Sequence, residues 1–337
     1  MVETTGTTVD ARTRALTTRR RWRGGAVRHG IHRPARDRRR GERSLWSHKV
    51  GRAMFLVPAL VYLALLFAYP LVYNILLSLR QAGVIGFVND SAKFAGLANY
   101  RTALANPALP TVVVNTAIFL VASLVFQFVI GFGLALFFTR RFPLSGLLRA
   151  LLLVPWLLPG VVTGSILRFM FDTSDGMINQ VLKDVGIIHA PVQWLSDPHL
   201  ALVTVIVANI WVGIPFNMLL LHGGIQEIPR ELYEAGRVDG AGTLRLFRSI
   251  TVPMLRPVIA VVLILGFIYT LKAFDIIVVM TGGGPINGSQ LLSTWSYTLS
   301  FTNLDFGQGA AIGTIMMLVS LVCAVIYTRI YRGGETR

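Results

Sequence analysis

Charged residues are scarce in this chain, and acidic residues are the scarcest of them. Asp, Glu, Lys and Arg make up 14% of the 337 residues, whereas a soluble globular domain carries about 25%. There are 16 acidic residues against 32 Lys and Arg, which gives a formal net charge of +16. With a hydrophobic fraction of 53% and a mean hydropathy of +0.61, this composition excludes an ordinary soluble domain and indicates a membrane protein.

Cysteine is almost absent, and a phosphate-binding loop is absent altogether. The single cysteine, Cys323, lies in an apolar run, so it allows no internal disulfide and no cysteine-based metal site. The glycine run Gly282-Gly283-Gly284-Pro285 lacks the Lys-Ser/Thr ending of a phosphate loop. The acids expected outside the membrane are scattered and lack a His partner. We therefore expect no enzymatic activity, and no metal or cofactor bound by this chain.

Basic residues are concentrated near the N-terminus, where 15 of the 32 Lys and Arg lie in residues 1–52. Residues 1–48 have no apolar periodicity and cannot bury enough surface to offset the entropy of ordering. They are predicted to be a disordered, basic, cytoplasmic tail, which can lie on anionic lipid headgroups; an over-called start codon is an equal alternative. Most other basic residues cluster between apolar runs, as in oriented membrane proteins, so nucleic acid is not an expected partner.

Six apolar runs are long enough to cross a bilayer as helices. None alternates in polarity as the strands of a membrane barrel do. The sequence therefore predicts an all-α integral membrane protein in which residues 49–337 form one six-helix transmembrane domain. The predicted spans cover about 53–79, 111–138, 147–170, 199–221, 258–280 and 308–330.

The positive-inside rule predicts how these spans are oriented. If the N-terminus is inside, 26 Lys and Arg lie inside and five lie outside, with Lys272 left over within a span. The sequence therefore predicts that both termini are cytoplasmic. The loop 226–256, between the fourth and fifth spans, is predicted to be cytoplasmic as well.

The 226–256 loop contains residues that typically begin and end two helices. Pro229 is typical of a first helical turn, and Gly240 and Gly242 predict that this helix ends in a left-handed turn. Thr243 is predicted to cap a second helix, with Pro253 and Pro257 beginning the fifth span. The second helix is predicted to carry one apolar stripe, formed by Leu244, Phe247 and Ile250. The resulting helix–turn–helix either rests on the bilayer or contacts a partner.

The spacing of this loop resembles a family signature. The pattern Glu-Ala-Gly-x-x-Asp-Gly-Ala-x-x-x-x-x-Phe-x-x-Ile-x-x-Pro is similar to the loop of bacterial ABC importer permeases that forms the coupling helix. Gly236 and Val252 depart from it, since alanine and leucine are usual there. The resemblance implies that this loop seats in the cytoplasmic ATPase through Glu234, Ala235, Gly236, Asp239, Gly240, Ala241 and Phe247.

The resemblance extends over about residues 50–335 and points to the carbohydrate-type permeases. It implies the first-position permease of a maltose-type or glycerol-phosphate-type importer in a bacterial cytoplasmic membrane. The implied partners are a second homologous permease, two ATPase subunits that hold the ATP, and an extracytoplasmic substrate-binding protein. The further matches are Pro58, Tyr69-Pro70, Tyr73, Leu77-Ser78, Phe94-x-Gly96-Leu97-x-Asn99-Tyr100, Asn115, Pro155, Pro159, Trp211, Pro215-Phe216, Phe274-Asp275 and Thr281 to Pro285.

Polar residues within spans are candidates for the substrate pathway, because burying them in lipid is costly. Lys272 and Asp275 lie three residues apart on one predicted helix face, where they either line the pathway or pair with each other. The resemblance places further pocket residues in the fourth and fifth spans: Gly213, Phe216, Tyr269, Thr270 and Ala273. Asn115, Ser123 and Gln127 of the second span are predicted to form interhelical hydrogen bonds instead.

The sequence leaves two substrates and two classes of transporter open. A di- or oligosaccharide is the first expectation and glycerol phosphate the second, since Lys272 suits a phosphate. A stand-alone secondary transporter is the alternative from another class. Six spans are few for such a transporter unless it dimerises, and the sequence contains no clear inverted repeat.

Overall fold

A computed structural model of the chain describes residues 56–89, 91–140 and 142–335. The chain divides into two compact units, residues 1–61 and residues 62–337. In the first unit, the described residues 56–61 are helical. The predicted tail, residues 1–48, and the start of the first predicted span, residues 53–55, lie outside the described residues.

The second unit is mostly helical. Its α-helices, in chain order, are α1 (Tyr69–Ser78), α2 (Val84–Val88), α3 (Ala98–Leu104), α4 (Leu109–Phe137), α5 (Ser145–Leu157), α6 (Gly160–Met170), α7 (Met177–Asp184), α8 (Pro198–Gln226), α9 (Arg230–Val238), α10 (Thr243–Leu246), α11 (Val252–Leu271), α12 (Asp275–Met280), α13 (Leu292–Tyr297) and α14 (Phe306–Glu335). Wider π-helical turns occupy Ala64–Ala68, Phe247–Thr251 and Thr298–Thr302.

Five helical segments of the described chain are long and apolar enough to cross a membrane, and a bent pair makes a sixth. The five segments are Leu56–Ser78, Leu109–Phe137, Pro198–Gln226, Thr243–Met280 and Phe306–Arg329. Where the third span is predicted, at about 147–170, the structure has two helices, α5 and α6, that meet at 97°. The bend follows from Pro159, which has no N–H to donate to the carbonyl of residue 155 and holds Leu158 in an extended conformation with ψ 143°.

A short β-ribbon departs from the all-α prediction. Strand β1 (Arg80–Gln81) pairs with antiparallel strand β2 (Lys93–Phe94), with Arg80 opposite Phe94. Next to it, the Nδ2 of Asn99 donates to the carbonyl oxygens of Ser78 and Arg80, both at 2.8 Å. The Phe-x-Gly-Leu-x-Asn-Tyr segment therefore closes the end of the first span, whose last carbonyls would otherwise lack a partner.

The central packing pair is α4 against α8. Gly131 of α4 makes the approach possible, because a Cβ at this position would lie 2.6 Å from the Cβ of Asn217. Gln127 donates from Nε2 to the carbonyl oxygen of Asn209 at 2.9 Å, which confirms the predicted interhelical hydrogen bond. Asn115 instead donates to the backbone of residues 287–290, and the buried Oγ of Ser123 has no partner in the described chain.

Candidate functional site

The 226–256 loop forms a helix with a defined end. Helix α9 covers Arg230–Val238. Its start after Pro229 and its end before Gly240 agree with the sequence prediction. Gly240 has φ +76°, and its N–H donates to the carbonyl of Arg237 at 3.0 Å. The N–H of Ala241 reaches the carbonyl of Gly236 at 2.9 Å. These two bonds form a Schellman motif, which requires the left-handed residue that glycine supplies at position 240.

The second part of the loop differs from the prediction in three places. Gly242 has φ −72° and is extended, so only Gly240 is left-handed. Thr243 is the first helical residue and makes no capping hydrogen bond. Leu244 is 62% exposed, while Leu246 is buried. A Cβ at Gly236 would lie 2.5 Å from Leu246 Cδ2, so the departure of this position from the family signature follows from how closely α9 packs on α10.

No helix break separates the loop from the fifth span. Helix α10, the π turn Phe247–Thr251 and α11 follow one another with helical backbone angles at every junction. Pro253 lies at the start of α11, as predicted, and Pro257 lies within it, but neither proline interrupts the helix that leads from the loop into the fifth span. The π turn accommodates the missing N–H of Pro253. One helix of about 40 Å therefore runs from residue 243 to residue 271.

Two contacts fix this long helix at the loop end. The hydroxyl groups of Tyr233 in α9 and Thr251 in the π turn lie 3.0 Å apart. The ring of Phe247 lies 5.6 Å from that of Phe132 in the second span. Helix α9 is therefore in contact with the long helix, and the long helix is in contact with the second span.

The fifth span is itself broken, and its break meets the break of the third span. Helix α11 ends at Leu271 and α12 begins at Asp275. Helix α12 packs on α6, where a Cβ at Gly160 would lie 3.0 Å from the Oδ2 of Asp275. A Cβ at Gly164, one turn further on, would lie 3.0 Å from the Cβ of Val279. The interruption of the fifth span and the bend of the third span thus meet through small residues, which allow helices to approach closely.

Three aromatic rings and a lysine are arranged in a row in space beside these breaks. The Phe216 ring is 5.7 Å from that of Trp156 and 5.8 Å from that of Tyr269. The Lys272 Nζ lies 5.3 Å from the Tyr269 ring centroid, within cation–π range. We call Trp156, Phe216, Tyr269 and Lys272 the aromatic row. Trp156 is 43% and Tyr269 57% exposed on this chain.

The remaining predicted pathway residues take different positions. Lys272 and Asp275 are both exposed and form no salt bridge with each other in the described chain. Thr270 is 4% exposed. Ala273 packs on a buried cluster, and its carbonyl accepts from Ser293 Oγ at 2.5 Å. A Cβ at Gly213 would overlap the buried amide of Gln127. The structure thus brings Phe216, Tyr269 and Lys272 into one row.

Sequence reasoning missed Trp156, Gly160 and Leu246. Trp156 lies in an apolar run like many others, and only the packing of α5 on α8 places it beside Phe216. Its position between Pro155 and Pro159 was the available signal, because prolines four apart in a span predict a break. No local pattern distinguishes Gly160 or Leu246, whose roles arise from contacts with distant residues.

Two acids outside the spans have lowered pKa values. The N–H groups of Asp175 and Ser174 donate to Asp172 and hold the pKa of its carboxyl below the usual value. The N–H groups of Leu200 and His199 do the same for Asp197, the N-cap of α8. Both carboxylates therefore act as anions that stabilise local backbone. Within the described residues, no three His, Cys, Asp or Glu side chains gather where they could hold a metal ion.

A bundle of apolar helices in which a bent span faces an interrupted one, the interrupted span being continuous with a loop helix, defines the transmembrane subunit of a transporter. The chain belongs to the family of binding-protein-dependent transport system inner membrane components, whose model matches residues 127–333. This membership confirms the resemblance predicted from the 226–256 loop.

Relatives of known role and a solved structure agree with this family. The chain is 34% identical over 285 residues to the trehalose/maltose transport system permease protein MalF of Thermococcus litoralis, covering 84% of this chain and 94% of the relative. It is 34% identical over 282 residues to the sulfoquinovosyl glycerol transport system permease protein SmoG of Agrobacterium fabrum, covering 83% and 89%.

The fold also occurs in a bacterial ABC transporter involved in the import of the acidic polysaccharide alginate. The TM-score is 0.72 at 22% sequence identity, over 87% of this chain and 98% of that chain. At this identity the likeness concerns the fold, and it covers nearly the whole of the solved chain.

Proposed function

We propose that this chain is a membrane-spanning permease subunit of an ATP-driven ABC importer for a di- or oligosaccharide. The observation that carries the proposal is the aromatic row at the junction of two broken spans, with Phe216 5.8 Å from Tyr269 and 5.7 Å from Trp156. Aromatic faces stack on the apolar C–H faces of pyranose rings, and an open row of them suits a chain of sugars. The sugar-importer names of MalF and SmoG support the same substrate class.

The driving motion enters through the 226–256 loop. Glu231 and Glu234 are exposed on α9 and offer an acidic face to an ATPase subunit. Movement of α9 reaches α10 through the Gly236–Leu246 packing and the Tyr233–Thr251 contact. Because the helix continues to Leu271, the same movement shifts Tyr269 and Lys272 and switches the pathway between its two openings.

The remaining partners follow from the pathway. The exposure of Trp156 and Tyr269 suits a second homologous permease that forms the other half of the passage. Two cytoplasmic ATPases would bind the ATP, and an extracytoplasmic binding protein would deliver the substrate. The 226–256 loop and both termini face the cytoplasm in this arrangement, in agreement with the 26-to-five division of basic residues.

Charge reversal at Glu234 and proline at Gly240 test the coupling. Proline cannot adopt φ +76° and has no N–H for the Arg237 carbonyl. We expect Glu234→Lys and Gly240→Pro to abolish sugar uptake and the stimulation of ATPase activity by loaded binding protein. Membrane insertion of both variants should be normal.

Glu227→Lys is the matched control, because Glu227 is an exposed glutamate on the same loop outside α9. Uptake is measured with labelled maltose and maltotriose in a strain that lacks the chromosomal gene. Normal uptake by Glu234→Lys and Gly240→Pro would contradict the coupling role. Purification without any associated ATPase would favour a secondary transporter.

Glycerol phosphate is the second candidate substrate. The exposed ammonium of Lys272, held over Tyr269, would attract a phosphate group. The same strain separates the two substrates when it is given labelled glycerol 3-phosphate in place of the labelled sugars, because only the cargo is taken up.

A further inference from the structure

A cavity of about 1200 Å³ lies beside the 226–256 loop, at the ends of the second, third and fourth spans. Its apolar wall comes from the ends of these spans and from α10 with the turn that follows it. The wall residues include Leu136, Phe138, Phe142, Ile225, Leu246 and Phe247. The cavity is therefore placed where the hydrocarbon edge of a bilayer meets its headgroups.

The polar lining of this cavity is strongly basic. Arg140, Arg149, Arg230 and Arg237 line it, and no Asp or Glu does so among the residues that the structure describes. Arg140, Arg230 and Arg237 are exposed and have no salt-bridge partner within the described chain. Four uncompensated guanidinium groups around one space favour an anionic occupant, and arginine pairs with phosphate in bidentate geometry.

Arg149 is held in position by a buried histidine. Its Nη1 donates to the Nε2 of His222 at 2.9 Å, and the Nε2 of Gln226 lies 3.0 Å from the same nitrogen. The Nδ1 of His222 faces the carbonyl oxygen of Ala135 at 3.3 Å, so Nδ1 carries the proton and Nε2 accepts. His222 is 5% exposed. The Nε of Arg149 also donates to the carbonyl oxygen of Ser145 at 3.3 Å, so the guanidinium group is held in place at the cavity wall.

Helix α9 separates the cavity from the acidic face that suits an ATPase. Arg230, Tyr233 and Arg237 are spaced as one helix face and line the cavity. Glu231 and Glu234 do not line it and are exposed elsewhere on the same helix. The acidic face and the basic cavity can therefore be occupied at the same time by different partners.

We infer that this cavity binds the phosphate headgroup of an anionic membrane lipid of the phosphatidylglycerol type. The four arginines face the phosphate, and the apolar wall takes the glycerol backbone and the first segments of the acyl chains. Basic pockets between membrane helices are suited to such headgroups. A free phosphate would pair with the arginines but would leave the apolar wall uncovered. A protein segment is not favoured either, because nothing in the basic lining is specific to a peptide.

Lipid retention by the full-length chain tests this inference. The chain is purified in detergent and titrated with dioleoylphosphatidylglycerol or dioleoylphosphatidylcholine, and bound lipid is counted by native mass spectrometry. We expect saturable binding of the anionic lipid and at least about tenfold weaker binding to Arg230→Gln/Arg237→Gln, because two of the four charged partners of the phosphate are removed. Arg230→Lys/Arg237→Lys should restore part of the binding.

Arg245→Gln/Arg248→Gln is the matched control, since both residues are exposed arginines of the same loop that do not line the cavity. It should bind the anionic lipid as the unchanged chain does. Thermal unfolding of each variant shows whether it is folded. Equal loss in both glutamine pairs, or displacement of the lipid by stoichiometric inorganic phosphate, would overturn the inference. Unchanged lipid binding by Arg230→Gln/Arg237→Gln, with loss of ATPase association, would make the cavity a protein interface.

Discussion

Gly213 of α8 leaves room for the Gln127 side chain, because a Cβ at position 213 would overlap its amide. Gln127 is 4% exposed, and its Nε2 is bonded to the Asn209 carbonyl. A buried amide that loses its partner costs about 1–3 kcal/mol. At the scale of the residue, this glycine therefore maintains a polar contact between the two central helices beside the aromatic row.

We expect Gly213→Ala to lower the free energy of unfolding by about 1–3 kcal/mol, since the displaced amide of Gln127 stays buried without its hydrogen bond. Thermal unfolding in detergent measures the change. Gly223→Ala on the same helix is the control, because nothing lies within 4 Å of the added Cβ. If both variants unfold at the same temperature, the contact with Gln127 does not constrain position 213.

At the scale of the element, the aromatic row lies where two helices end. Trp156 is near the end of α5, directly before the bend to α6, and α11 ends at Leu271 immediately beyond Tyr269. Trp156, Phe216 and Tyr269 therefore come from three different spans. The continuous helix from residue 243 to residue 271 connects the loop with the row, and the proposed coupling uses this connection.

Removal of one ring from the row should weaken sugar binding during transport. We expect Trp156→Ala to raise the KM for maltotriose uptake roughly two- to tenfold, because one aromatic contact contributes about 0.5–1.5 kcal/mol. Initial uptake rates over a range of sugar concentrations measure this effect. Trp211→Ala is the matched control, since Trp211 is 42% exposed, as Trp156 is 43% exposed, and lies outside the row. Equal KM values for the two variants would remove Trp156 from the pathway.

At the scale of the whole molecule, charge determines the predicted orientation. The positive-inside rule places the loop 226–256 in the cytoplasm and the loop after Met280 outside. Val238 and Ile286 lie on these two loops, and each is 88% exposed. Cys323 is the single cysteine of the chain, so its replacement gives a cysteine-free background for labelling.

Cysteines introduced at these two positions report the orientation directly. In the Cys323→Ala background, we expect Ile286→Cys to react with a membrane-impermeant maleimide in right-side-out vesicles. Val238→Cys should react only in inside-out vesicles, because the bilayer keeps the reagent from the cytoplasmic face. Mass tagging on a gel measures both reactions, and the reversed pattern would refute the predicted topology.

The sequence by itself determined the properties that depend on neighbouring residues. Span lengths follow from local hydropathy, so four of the predicted spans agree closely with helices. The end of α9 at Gly240 follows from one backbone conformation that glycine adopts easily. The family follows from residue spacing in the 226–256 loop, which the family match confirms.

Only the tertiary structure decided how distant segments combine. It bent the third span at Pro159, continued the loop helix into the fifth span, and set Asp275 against Gly160 rather than against Lys272. It also gathered four arginines around one cavity and placed Trp156 beside Phe216. The physical reason is that hydropathy and the residues that begin and end helices depend only on neighbouring positions in the chain. Contacts between helices depend on shape and room at positions far apart in the chain, which no local pattern records.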